Sequence, residues 1–364
     1  VRARGVTVAA GTFDLELEPG SVITWDEERA PRVTAQLVCR APAALAQITA
    51  LDPRAGARVR IDAGYLRAGG VEDVWPLADL GVRSAEWATD RSDVLNLNCA
   101  GDESLVIDAA PAVGETVITT TTAGGAAQLL AATISPAPTL AVYAPGPAVS
   151  MTPITDRFSA LRDMAERGGL AIYDAGLRSW VCEARPMVAG DPSVTLSVGA
   201  TGVAERIVDR SSRDDWYNYV LYRHTWRAGG VEQVVTATAY VSSGLYAITG
   251  PAAKRIYQED RDTPTTQAAA NAAAADVLTR LVTRGRGVTV VAPCAWWVRP
   301  GHTATVIRPR SATPEAHLIG SVSFDLADHR MTVGTRVPVS YTAATTTPPS
   351  LPATPDPVPP ARTT

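Results

Sequence analysis

The feature that most constrains this 364-residue chain is a short alternation of apolar with polar or small residues, repeated and cut at close intervals by turn formers. Val33-Thr-Ala-Gln-Leu-Val-Cys39 has that period of two, and Ala57-Arg-Val-Arg-Ile-Asp62 has it again. Such a period puts one face of an extended strand against a core. Between them, Asp52-Pro53-Arg54-Ala55-Gly56 reads as a turn, with proline presetting φ and glycine taking the strained position. Arg67-Ala-Gly-Gly70 reads as a hairpin tip leading into Val71-Glu-Asp-Val-Trp75, and Leu77–Val82 and Val94–Cys99 continue the series. So many strands and turns over residues 1–110 predict a barrel or sandwich.

The rest of the chain divides by pattern. Residues 111–149 are loose: Thr119–Gly125 is poor in packing volume, and Pro136, Pro138, Pro145 and Pro147 give a linker. Residues 150–194 read as a small α/β domain. Thr152-Pro153 starts a helix whose Phe158, Leu161 and Met164 share a face, and Gly168-Gly169 stops it. Leu170–Asp174 and Leu177–Cys182 then pair around Ala175-Gly176. Strands return over 195–340, with Tyr217–Trp226 and Gln233–Val241 as a long hairpin. An alanine-rich helix over 262–284 interrupts them, capped by Asp262 or Thr263, opened by Pro264 and stopped by Gly285. Residues 341–364 are rich in proline and threonine, and are expected to be disordered or extended. Arg67-Ala-Gly-Gly-Val-Glu72 recurs as Arg227-Ala-Gly-Gly-Val-Glu232 at a second hairpin tip, which suggests two related strand-rich domains.

Catalysis needs convergent polar groups, and the usual motifs are missing. There is no nucleophile elbow, no zinc-protease helix and no phosphate loop; Gly124-Gly125 lacks the following lysine and hydroxyl. Cys39, Cys99, Cys182 and Cys294 are scattered, as are His224, His302, His317 and His329, so no metal-ligand spacing exists. Asp214-Asp215 and Glu259-Asp260 are neighbours on extended chain and point to opposite faces. Trp296-Trp297 with Trp216, Tyr217 and Tyr219 could stack sugars or bases, or could fill a core. Arg206, Arg210 and Arg213 alternate with Asp209, Asp214 and Asp215, a solvated mixture rather than a phosphate track. The net charge of −4 also argues against a surface built to hold nucleic acid. No cofactor, metal or catalytic residue is expected. The readings left are a structural or binding module, or a carbohydrate binder or cell-wall hydrolase using the aromatic cluster.

Several stretches resemble a family. Trp25-Asp-Glu-Glu-Arg-Ala-Pro-Arg32, Leu51–Val59, Trp75–Leu80 and Ala100–Leu105 are similar to the opening of tail-tip proteins in tailed phages of actinobacteria. Leu170-Ala-Ile-Tyr-Asp-Ala-Gly176 resembles the small α/β domain of a baseplate hub. Asp262–Gln267 before the alanine-rich helix, Val298-Arg-Pro-Gly-His302, His317–Leu326 and Met331–Arg336 follow in the hub's order. His302 stands where hubs usually carry aspartate. The resemblance covers about residues 12–337. It implies a mainly β chain with an α+β insert, made of two related tube-like barrels and a small α/β domain. It also implies a structural virion protein of a long-tailed phage, made in the host cytoplasm. Three copies would form a ring that adapts a six-fold tail tube to the tip. Its partners would be copies of itself, the tube or a distal tail protein ring, and other tail-tip proteins. The tape measure protein and DNA would pass through the lumen, without stable specific nucleic-acid binding. Candidate joining strands are Val33–Cys39 (Val33, Leu37, Cys39) and Val234–Val241 (Val234, Tyr240). The candidate hairpin tips are Arg67, Gly69 and Gly70, and Arg227, Gly229 and Gly230.

Overall fold

The computed structural model describes residues 1–336 and 342–346, apart from 67–68, 71, 89–92, 153–155, 186–188, 199–201, 215, 262–263 and 309–310. The fold is mainly β, with helices confined to short stretches of chain. Six antiparallel strands close a ring: Arg2–Thr7, Gly11–Leu17, Val33–Arg40, Arg58–Leu66, Glu72–Ala88 and Val94–Ala100. Closure occurs at strand 33–40, which pairs with 94–100 along one edge and with 11–17 and Val22–Asp26 along the other. The period of two is realised here: Val33, Ala35, Leu37 and Cys39 face inward while their neighbours face out.

A second set of six strands comprises Pro192–Ser197, Arg206–Ser211, Arg286–Pro293, Thr303–Arg308, Ser311–Asp325 and Arg330–Arg336. It runs in the order 206–211, 286–293, 330–336, 311–325, 303–308, 192–197, the last pair parallel. Its two end strands do not pair with each other among the described residues. Strand 22–26 leaves the ring and pairs with 321–325, so both sets belong to one sheet over one core. At the crossing, Trp25 meets Phe324 edge-on with ring centres 5.7 Å apart, and Trp296 lies 5.1 Å from the other side of Phe324.

Two smaller units are attached. In the first, strands Thr139–Val142, Leu170–Asp174 and Ser179–Ala184 form one sheet, and Val117–Thr119 and Val149–Met151 form another. Helices Glu103–Asp108, Thr122–Thr133 and Arg157–Arg167 pack with them around Val106, Leu129, Leu130, Leu161, Met164 and Trp180. Residues 111–149 are therefore part of a packed unit and not a linker. The signal was weak because their strands are three or four residues long and their helix is built from alanine, glycine and threonine. Helix 157–167 starts later than its proline suggested, capped by Asp156, whose carboxylate accepts from the Ser159 N–H; Pro153 lies outside the described residues.

The second unit interrupts the six-stranded set. Strands Tyr219–Ala228, Val231–Ser243, Ile256–Arg261 and Thr342–Thr346 form a sheet covered by helix Gln267–Thr283. Ala270, Ala273, Ala274, Val277, Leu278 and Leu281 make the buried stripe, and the alanines let the helix lie close to the sheet. Thr266 caps this helix, its hydroxyl accepting from the Ala269 N–H; Asp262 and Thr263 lie outside the described residues. The start of the Pro/Thr tail is also ordered: Thr342–Thr346 is a strand on 231–243, and 347–364 lie outside the described residues.

The repeated hexapeptide marks local turn chemistry and not a repeated domain. Gly69 and Gly70 have φ of 88° and 78°, and Gly229 and Gly230 have 58° and 82°. Two consecutive positive φ values suit the tight turn of a twisted hairpin. The first hairpin is flanked by 2–7 and 94–100, both antiparallel to it. The second is flanked by 256–261, which is parallel, and by 342–346. The strands are ordered differently, and the second hairpin lies outside the six-stranded set.

Phe324 sits at the crossing of both six-stranded sets and is fully buried. Phe324→Ala is expected to cost ~3–5 kcal/mol in urea unfolding of the full chain. A loss under ~1 kcal/mol would show that the crossing does not hold the core.

Candidate assembly surface and its buried ionic joints

The strands expected to join copies are occupied within the chain. Val33, Leu37 and Cys39 are at most 1% exposed, and strand 33–40 is paired along both edges. Strand 231–243 lies between 219–228 and 342–346. Val234 is exposed on its face, and Tyr240 stacks on Tyr219 at 6.0 Å. Alternation reports a half-buried face and is the same for a central strand as for an edge, so it does not tell which strand has a free edge. Among the described residues, the large sheet is open at 206–211 and 192–197, and the smaller sheets are open at 256–261, 342–346, 170–174, 139–142, 117–119 and 149–151. Charge protects the first, as expected of a managed edge. Arg206, Asp209 and Arg210 are exposed there, and Asp209 takes both forks of Arg308, with contacts of 2.7–3.1 Å. Of the hairpin tips, Gly69, Gly70, Arg227, Gly229 and Gly230 are exposed, and Arg67 lies outside the described residues.

The aromatic cluster is dispersed. Trp296 is core, Trp297 is 49% exposed, and Trp216 packs on Tyr246 in another unit. Tyr217 meets Tyr257 instead. Glu259 turns inward to Tyr257, Arg162 and Arg261, while Asp260 is exposed on the opposite face. Asp214 bonds Ser212 at the surface, and Asp215 lies outside the described residues. His317 is buried between Thr335 and Glu315, and His329 sits in a turn at φ 55°. All four cysteines are free and buried, and no group of three metal-ligating side chains stands together among the described residues.

Sequence reasoning missed the ionic joints that lock the units together. In the first joint, Arg58 of the ring bonds Asp79 at 2.6 Å and Asp102 at 2.9 Å, and Arg178 of the α/β unit approaches Asp102. Beside it, Glu103 accepts the Arg32 and Asp174 main-chain N–H groups, and Asp174 accepts those of Asp102 and Gly176. Glycine at 101 leaves room for this contact, because a Cβ there would lie 2.5 Å from the Asp174 carboxylate and force it to shift. Burial pushes Glu103 up to about 7 and Asp174 up to about 6, against the hydrogen bonds that favour their ions.

In the second joint, Arg261 bonds Asp163 at 2.9 Å, Glu166 at 2.6 Å and the Tyr222 hydroxyl at 3.0 Å. Arg280 reaches the other oxygen of Glu166 at 2.8 Å. Burial alone would raise Glu166, but Arg261 and Arg280 outweigh it and hold the carboxyl below its ordinary value. A third joint pairs Arg336 with Glu27 at 2.7 Å and Arg284 with Glu28. Buried pairs add little net stability, but they fix orientation, since losing one partner strands a charge. The arrangement is a rigid multi-unit scaffold with open sheet edges, charged at 206–211 and 256–261 and uncharged at 192–197 and 139–142.

No family model matches the sequence, and no curated protein matches it. Solved structures do share its fold. The tail protein from Neisseria meningitidis MC58 is similar over 92% of this chain and 96% of its own, at 14% identity and a TM-score of 0.64. The 43 kDa tail protein of prophage MuSo2 from Shewanella oneidensis is similar over 93% and 98%, at 11% identity and a TM-score of 0.59. The prophage tail protein gp18 from Listeria monocytogenes EGD-e covers 92% and 94%, at 9% identity and a TM-score of 0.54. The chain has the fold of phage tail proteins, over nearly the whole of each.

The first joint generates a pH dependence. Unfolded, Glu103 ionises near its ordinary 4.5; folded, it holds its proton to about 7. Between those values the unfolded chain releases a proton that the folded chain keeps, so stability falls as pH rises from about 4.5 to 7. Asp174 acts in the same direction at lower pH. Glu103→Gln cannot ionise and loses one good acceptor. Urea unfolding should show it less stable than wild type near pH 4.5, with the difference shrinking by up to ~3 kcal/mol by pH 7.5. A constant difference would overturn the assignment.

Proposed function

We propose that the protein is a structural component of a phage tail tip: a baseplate hub at the distal end of the tail tube. The observation that carries this reading is the fold, shared end to end with three tail proteins. In this reading the chain works by assembly in the virion and has no catalytic activity. Each chain brings two six-stranded units fused through strand 22–26, one closed and one open. Three chains would bring six, which matches a six-fold tube with a C3 ring. Head-to-tail contacts close such a ring when the rotation permits. The open, uncharged edge at 192–197 is better placed to join copies than the strands singled out from sequence, because pairing there displaces no strand of the same chain. Neighbours in this reading are the tube or a distal tail ring and other tip proteins. The lumen would pass the tape measure protein and DNA, and a mildly acidic chain favours passage over retention.

A reconstruction of the tail tip tests the reading. Three copies on the tube axis around an open channel are expected; six copies per ring, or a position off the axis, would end it. Purified protein is also expected to leave peptidoglycan and glycans intact. Cell-wall turnover that disappears in Asp214→Asn or Glu259→Gln would show an active site instead.

A further inference from the structure

A cavity of about 280 Å³ lies where three parts of the fold meet. Its wall comes from the ring (Trp25, Arg32), the α/β hairpin (Tyr173, Asp174, Glu183) and the turn 299–302. Two guanidinium groups line it, and neither forms an ion pair among the described residues. Arg299 stacks on the Trp25 ring at 4.2 Å, and one of its NH2 groups donates to the carbonyls of Trp296 and Val298 at 2.7 and 2.8 Å. Its Nε and other NH2 group have no acceptor among the described residues. Burial alone pulls this arginine down to about 10, so it remains fully charged at neutral pH. Arg32 lies 3.7 Å over the Tyr173 ring and donates to the Pro300 carbonyl at 3.2 Å.

Two ring nitrogens of the lining residues also lack a partner among the described residues. Trp25, 1% exposed, has no partner for its indole N–H, and the buried Nδ1 of His302 has none either. Burial and Arg299 hold His302 below its ordinary value, so its ring is neutral near pH 7. The two carboxylates in the wall are already engaged. Asp174 accepts the Asp102 and Gly176 N–H groups at 2.5 and 2.8 Å, and Glu183 accepts the Tyr173 hydroxyl at 2.9 Å. A buried guanidinium with no ion-pair partner is costly, and an anion held by its fork removes that cost.

We propose that this cavity is an oxyanion site, taking a carboxylate or phosphate group against Arg299 and Arg32, with the Trp25 ring as the platform that holds Arg299. The size suits a small group and its waters, since pockets for drug-sized ligands run about 300–1,000 Å³. The site stands independently of the tail-tip reading and would hold in a free monomer.

The test is thermal unfolding and tryptophan fluorescence of the full chain at pH 7, titrating inorganic phosphate or acetate against chloride at matched ionic strength. At least one anion is expected to raise Tm saturably and to change the fluorescence of Trp25. Response to phosphate alone identifies a phosphate-bearing ligand; response to acetate alone identifies a carboxylate, such as an acidic side chain of a neighbouring protein. Arg299→Gln should weaken apparent affinity at least ~10-fold, the loss expected for a charge-assisted fork. Arg223→Gln, an exposed arginine in another sheet, should leave it unchanged. If Arg299→Gln fails to fold by circular dichroism, Arg32→Gln replaces it. No saturable response to either anion in the wild type, or an undiminished response in the folded arginine variant, overturns the proposal.

Discussion

Everything in this fold depends on a strand of five residues. Val22–Asp26 pairs with 33–40 on one side and with 321–325 on the other, so the ring near the N-terminus and a sheet formed almost 300 residues later share one hydrogen-bonded surface. The sheet alone would be a hinge. It is made stiff by what lies beneath it, because Trp25, Trp296 and Phe324 fill the same buried volume from three separate segments. Cores pack to crystal-like density and do not deform smoothly, so the two six-stranded sets have one relative position rather than a range.

The ionic joints extend that rigidity to units that share no sheet with the ring. Apolar packing could have held the α/β unit and the 219–283 insert in place. Buried charge does something that apolar contact does not: it penalises every arrangement except the one in which each ion meets its partner. Arg261 shows this clearly, since one guanidinium answers Asp163, Glu166 and Tyr222 from two units, and a small rotation would break all three contacts.

Local features of this architecture were legible in the sequence, and long-range ones were not. Strand 33–40, the 219–228/231–243 hairpin and the alanine-rich helix all follow from periodicity and capping chemistry. Residues 111–149 did not, because three-residue strands carry too few positions to show a period. Which strands have free edges was not legible for a different reason: pairing partners are a property of the fold, while alternation is a property of one strand. The joints were invisible altogether. Arg58 meets Asp102 across 44 residues of sequence, and Arg280 meets Glu166 across 114. Nothing near either residue announces its partner.

The same limit explains why the repeated Arg-Ala-Gly-Gly-Val-Glu segment misled. A turn needing two positive φ values selects glycine pairs wherever a twisted hairpin occurs, so identical tips arise in unlike sheets. What makes the two six-stranded sets comparable is strand count and shared core, and neither can be read from a hexapeptide. The quasi-repetition relevant to assembly therefore lies at the level of the sheet, where six strands present one closed surface and six present open edges. A chain with one closed and one open unit is asymmetric by construction. In the proposed ring, head-to-tail contacts would fall to the open unit, since the closed one offers no free strand edge.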